Sequence, residues 1–248
     1  MGDAVEVVDW QGLPVRCGDC PHQDVKADGR CDPDHVCVMD RRGKRIDAFF
    51  RANPGMAARY LAHPYAELRV LAARHASLFE IGRLAGDPEP DVRAMLASRL
   101  PLARVGVFAG DPDRKVRMAA ANRLTGKALL GLAFDEDYAV RLAAARRLDP
   151  RAIAACIGDP DPQIRREVAR RVDLALIGPL IRDTDALVRV EVARRLEPRR
   201  LPVFAADEDV RARYTAAERA NPADLHAFEH DPEDIVRRLV ARRREEET

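Results

Sequence analysis

Four cysteines fall within a 21-residue stretch, Cys17, Cys20, Cys31 and Cys37, in the pattern C-x2-C-x10-C-x5-C. Ionised thiols are soft donors, and four of them complete either a tetrahedral shell around one ion or the corners of an iron–sulfur cubane. Structural zinc sites commonly draw their ligands from two closely spaced pairs, and here only Cys17 and Cys20 form one. A cluster is larger and accepts corner ligands from irregular loops. Both chemistries stay open on spacing alone. His22 and His35 lie in the same stretch as substitute donors, set aside because four thiolates already suffice.

The segment that must position these thiols is rich in turn formers, with Gly18, Pro21, Gly29 and Pro33 between the cysteines. It is also acidic: residues 1 to 40 carry nine Asp or Glu against three Lys or Arg, whereas the remainder carries 32 against 39. We place a domain boundary at residues 43 and 44, with a loop-rich metal-cluster domain over 1–43 and a repeat array over 44–248.

The array shows itself in two arginine columns. Arg69, Arg93, Arg117, Arg141, Arg165, Arg189, Arg213 and Arg237 step by 24 residues, and so do Arg99, Arg123, Arg147, Arg171, Arg195, Arg219 and Arg243. Between them runs an alanine column from Ala73 through Ala121 to Ala241. A fixed period without insertions means a stack in which each unit buries its apolar face against its neighbours. The constant alanine predicts close backbone approach.

Within a unit such as DPDRKVRMAAANRL (residues 111 to 124), Asp and Pro open a helix, Asp as its cap and Pro at its first position. Val116, Ala119, Ala120 and Leu124 then share one helical face, predicting three to four turns. The rest of each unit is too short for a second full helix but keeps apolar residues three apart, such as Val105 and Phe108, which fits one or two tight 3-10 or α turns. Cys156 sits in this second apolar column and reads as a small buried hydrophobe, not a ligand. Residues 44 to 63 read as a degenerate first unit, followed by about eight clear repeats. The array closes on RRREEE at residues 242 to 247, a polar finish.

These units resemble the leucine-rich repeat variant family, on the Asp-Pro start, the V-R-x-x-A-A-x-R-L core and the 24-residue period. The resemblance implies an all-α fold: a right-handed superhelical solenoid alternating α-helix and 3-10 helix, without β-sheet. A cysteine-rich segment leading into such repeats is similar to the iron–sulfur members, in which four cysteines bind one 4Fe-4S cluster. That implies Cys17, Cys20, Cys31 and Cys37 as its ligands and an association with nitrogen-fixing bacteria.

Lys and Arg total 42 against 41 Asp and Glu, which suits a solvated helical surface and excludes a polybasic tail. The sequence carries no glycine-rich phosphate loop, nucleophile elbow or HExxH, so a nonenzymatic role is expected. With no apolar leader and no run of membrane-spanning length, a cytoplasmic location is expected. The reading is a cluster-binding repeat scaffold for redox, oxygen sensing or protein interaction, with another protein as partner. The alternatives are the same scaffold capped by zinc and a nucleic-acid-binding solenoid using the Arg117 column. Against the second, Arg123 lies close to the apolar stripe, so its guanidinium is expected to pair with carboxylates or carbonyls near the next repeat.

Overall fold

The computed structural model describes residues 7–246. The first six residues of the cysteine segment, and Glu247 of the polar finish with Thr248, lie outside the described residues. Two compact units divide the chain between Leu124 and Thr125. Apart from two isolated bridges, Val8 with Pro14 and Asp32 with Val36, the regular structure among the described residues is helical.

In the first unit the cysteine segment is followed by the helices Gly43–Ala52, Ala66–His75, Pro90–Arg99 and Arg114–Ala121, separated by short 3-10 or mixed turns such as Pro54–Tyr60 and Gly106–Gly110. The second unit continues the alternation with Tyr138–Ala145, Pro162–Arg171, Ala186–Arg195, Val210–Arg219 and Asp234–Glu245 as its principal helices. This is the α/3-10 alternation expected of the family. One detail differs: the principal helices run 8 to 12 residues, so most fall just short of three turns. The first unit, degenerate in sequence, builds an α/3-10 pair from Gly43–Ala52 and Pro54–Tyr60.

The helix starts correct a second expectation. Where a side chain caps a principal helix, it is the second acidic residue of the unit and not the first: Asp113 accepts the Lys115 N–H at 2.7 Å, and Asp185 accepts those of Leu187 and Val188 at 2.9 and 3.1 Å, whereas Glu89 and Glu233 make no such bond. The first acidic residue closes a turn ahead of the helix, as when Asp111 accepts the Asp113 N–H at 2.9 Å. Pro112 therefore lies in that turn, whereas Pro90 and Pro162 take the first helical position.

The first aspartate is claimed from elsewhere. Arg93 reaches 18 residues ahead to Asp111 with two parallel bonds, Nε to Oδ2 at 2.7 Å and Nη2 to Oδ1 at 2.8 Å. Its Nη1 donates to the carbonyls of Asp87 and Pro88, at 2.7 and 3.1 Å, in the turn before its own helix. The Arg93 guanidinium holds the Asp111 carboxyl below its ordinary range, against the opposing effect of burial. In the second unit Arg165 with Asp183, Arg189 with Asp207 and Arg213 with Asp231 repeat the clasp. Each clasp ties one helix to the turn that opens the next, in the bidentate geometry that makes Arg–carboxylate pairs strong.

The other arginine column works backward. Arg99 donates through Nη1 to the carbonyls of Ala73 and Ala76 at 2.5 and 2.7 Å, and Arg219 does the same to Ala193 and Leu196 at 2.6 and 3.1 Å. Arg123 donates to Ala97, Ser98 and Leu100. The acceptors are thus carbonyls, as expected, but of the preceding repeat and not the next one. They are the last carbonyls of a helix, which lack partners along the helix itself, and the cation also meets the negative end of its dipole. The alanine column lies at these helix ends: Ala73, Ala97, Ala121, Ala145, Ala169, Ala193 and Ala217 are all 0% exposed, and only the terminal Ala241 is exposed.

The apolar core of each unit runs as a strip beneath these polar ties. Val92, Leu96, Val105 and Phe108 fill it in the first unit, and Ile164, Val168, Ile177 and Leu180 in the second. Cys156, at 2% exposed, lies in that strip as a hydrophobe.

Candidate cluster centre

The cysteine segment is folded by short-range turns. Asp9 accepts the N–H groups of Gln11 and Leu13 through its side chain, and Gly12 takes a positive φ of 85° to reverse the chain. Cys17–Asp19 forms a 3-10 turn that returns the Cys20 N–H to the Cys17 carbonyl, so the paired thiols share one tight bend. The one-turn helix Gln23–Ala27 buries Val25, and Gly29, two residues beyond it, turns the chain with φ 73°. The chain then comes back through the Asp32–Val36 bridge to Cys37, which is 4% exposed.

Three ties hold this loop to the first repeat. The Cys37 N–H donates to the Arg45 carbonyl at 3.2 Å. Asn53, 3% exposed, accepts from Arg30 Nη1 at 2.7 Å and returns a bond to the Arg30 carbonyl at 3.0 Å. Asp40, 1% exposed, accepts the Arg42 N–H and the Arg45 Nη1, at 2.8 and 2.6 Å. Arg45 Nη1 also donates to the Pro33 carbonyl at 2.9 Å, placing one guanidinium between the Cys31–Cys37 loop and the helix Gly43–Ala52.

Cys17, Cys20 and Cys37 all lie within electrostatic reach of Cys31. Burial pushes the Cys31 thiol up to about 11, helped by Cys37, Cys20 and Cys17, so Cys31 feels all three of the others. Burial raises Cys37 as well, with Cys20 adding to it. Among the described residues no three His, Cys, Asp or Glu side chains close into a group that would hold an ion. The donor set itself fits an iron–sulfur cluster: four thiols gathered from a turn, a loop and a buried strand-like return, each able to supply one corner. The two histidines are engaged elsewhere. His22, 5% exposed and lowered by burial, hydrogen-bonds Tyr60 through Nε2, and His35 is an exposed partner of Asp32 at 2.9 Å.

Tyr60 stands over the same site, its hydroxyl raised by burial and by Cys20, Cys37 and Cys31. Its ring lies 5.7 Å from Phe50, and His22 lies 5.4 Å from Phe49, so Tyr60 and His22 join an aromatic cluster with two buried phenylalanines. The sequence reading found the cysteines but missed Asp40, Arg45 and Tyr60 as their supports. A signal existed for Arg45: the position 18 residues ahead, where later units place aspartate, holds His63.

Fold and site together define a stack of α/3-10 repeats joined to a four-cysteine segment. The model of the family described as LRV protein FeS4 cluster matches residues 7–59, a span that includes all four cysteines. A solved structure described as a leucine-rich repeat variant with a novel repetitive protein structural motif is 34% identical, with a TM-score of 0.87 over 92% of this chain and 97% of that one. A Rhodobacter capsulatus protein, described as an uncharacterized 27.7 kDa protein in the nifB 3' region, is 44% identical over 89 residues. That match spans 36% of each of the two chains. The chain belongs to the leucine-rich repeat variant family. No helix among the described residues is long and apolar enough to cross a membrane.

Proposed function

We propose that this protein is a nonenzymatic, cytoplasmic scaffold whose repeats bind another protein and whose N-terminal cap holds one 4Fe-4S cluster on Cys17, Cys20, Cys31 and Cys37. The observation that carries the reading is the family model matched over residues 7–59, a span that holds all four cysteines, with Cys17, Cys20 and Cys37 within electrostatic reach of Cys31. A bound cluster supplies one-electron exchange at a potential set by the charge, hydrogen bonds and burial around its sulfurs. The chain's own residues seat it: Asp40 and Arg45 fix the Cys31–Cys37 loop on the first helix. Four thiolates fill four corners, leaving no open position for a substrate, which favours electron exchange or oxygen sensing over catalysis. The nifB-region setting of the Rhodobacter relative favours a role in nitrogen fixation.

The test is anaerobic purification with iron, sulfide and zinc measured on one sample. About four iron and four sulfide per chain are expected for a cubane, abolished by Cys31→Ala and retained in Cys156→Ala. One zinc without sulfide, even after reconstitution with iron and sulfide, refutes the cluster and leaves a zinc-capped scaffold.

A further inference from the structure

The second unit carries a third arginine column that the internal clasps do not consume. Arg146, Arg170 and Arg194 follow one another at the 24-residue period, and all three are exposed. They lie at the ends of the consecutive, mutually packed helices Tyr138–Ala145, Pro162–Arg171 and Ala186–Arg195. Arg146 has no side-chain partner among the described residues. Arg170 and Arg194 share with Arg166 a single carboxylate oxygen, Glu191 Oε1, at 3.0, 3.1 and 3.2 Å respectively.

Glu191 is a buried anchor, its side chain 6% exposed, whereas the Arg170 and Arg194 side chains are 46% and 56% exposed. One carboxylate against three guanidiniums leaves a net charge of two, and Arg146 adds a third. Their uncommitted donors include both Nη groups of Arg166 and Nη2 of Arg194. Arg146, Arg166 and Arg170 line an open groove of about 470 Å³, with Leu142 and Leu187 in its wall, and Arg194 lines the adjoining hollow, which shares Arg166 and Leu187 with it. Glu167 and Asp185 also border it: Glu167 is offset by Arg171, whereas Asp185 caps the helix Ala186–Arg195 and keeps its charge, so the site retains a net charge of about plus two.

We propose that this groove binds an extended acidic segment of a partner protein, with Asp or Glu at every third residue and apolar residues between. The inference rests on the scaffold reading above and names the partner's chemistry. Packed helices lie about 8–10 Å apart, which sets the step between successive arginines. A polyproline-II segment advances about 3.1 Å per residue, so every third side chain advances about 9 Å along one edge. Carboxylates in that register meet Arg146, Arg170 and Arg194 in turn, while the intervening residues lie on Leu142 and Leu187.

The experiment measures fluorescence anisotropy of a labelled (Glu-Pro-Pro)4 peptide with the full chain, against a peptide of the same composition whose four glutamates are contiguous. Iron and sulfide are determined on the same sample, so a failure of the groove is distinguished from a failure of the cluster. The spaced peptide is expected to bind at least tenfold more tightly, with affinity falling as salt rises. Arg146→Gln weakens it several-fold at unchanged melting temperature, because Arg146 has no internal partner. Arg170→Gln with Arg194→Gln weakens it tenfold or more while Arg166 still satisfies Glu191. Equal binding of both peptides, no effect of Arg146→Gln, or tighter binding of a 12-nucleotide single strand than of the spaced peptide overturns the proposal.

Discussion

Arg45 donates to Asp40 at 2.6 Å, behind it in the chain, whereas Arg69, one repeat later, donates to Asp87, ahead of it. The reversal follows from His63, which stands where a forward aspartate would be and accepts the Tyr65 N–H through Nδ1 at 3.1 Å. His63 reproduces the turn-closing half of the aspartate's task and leaves the ion-pairing half undone. Arg45 then turns to the cysteine segment, so the same residue position that links repeats elsewhere here fastens the cap.

Asp40→Asn is expected to loosen that cap. The Asp40 side chain is fully buried, and breaking a buried pair by removing one partner costs about 3–5 kcal/mol. Chemical denaturation followed by circular dichroism measures the loss, and chelator-driven release of iron, followed by absorbance, should quicken several-fold. Unchanged release would mean that the cluster segment holds its shape without Asp40.

The inter-repeat clasps should be sharply more valuable than the surface pairs beside them. Arg213 and Asp231, with side chains 7% and 1% exposed, form a bidentate pair, so Arg213→Gln is expected to destabilise the protein by about 3–5 kcal/mol. Arg211, 58% exposed and also paired with an aspartate, is the control, and its replacement by Gln should leave the unfolding midpoint within error. Equal effects of the two substitutions would remove the clasp from the account of stability.

His63 gives the first repeat a sensitivity to mild acid. Burial lowers its pKa, assisted by Arg69, and its Nδ1 must be unprotonated to accept the Tyr65 N–H. The unfolded chain therefore binds the proton more readily than the folded one. This contribution to stability is complete above the ordinary value of 6.5 and is lost as pH falls below it through the folded-state value. Unfolding midpoints measured from pH 7.5 to pH 5 should fall less steeply in His63→Asp than in the parent chain, and equal slopes would remove His63 from the account.

In the cluster-free chain Cys31 should be a reluctant nucleophile. With its thiol pushed up to about 11, its alkylation by iodoacetamide should accelerate about tenfold per pH unit from pH 7 to pH 10. Replacing Cys17, Cys20 and Cys37 by serine removes the neighbouring thiolates, lowers that value and speeds the reaction at pH 8.5. Peptide-resolved mass spectrometry reads the rates, and no acceleration in the triple variant would show that the four thiols do not meet.

The sequence by itself determined the period, the helical class and the four cysteines, because periodic burial and soft-donor clustering are written into residue order. It also placed Cys156 correctly, since an apolar column defines its own members. It did not determine what each polar residue touches. Asp111 and Asp113 look interchangeable as helix caps, and only the stacked helices decide between them, by delivering the Arg93 guanidinium to the first and leaving the second to the helix. Arg123 likewise has candidate acceptors on both sides along the chain, and the tertiary structure supplies them behind it, at the end of the helix Pro90–Arg99. Burial follows from a residue's own chemistry and spacing, whereas an ion pair between repeats depends on where a second helix comes to rest, a distance that the local pattern does not contain.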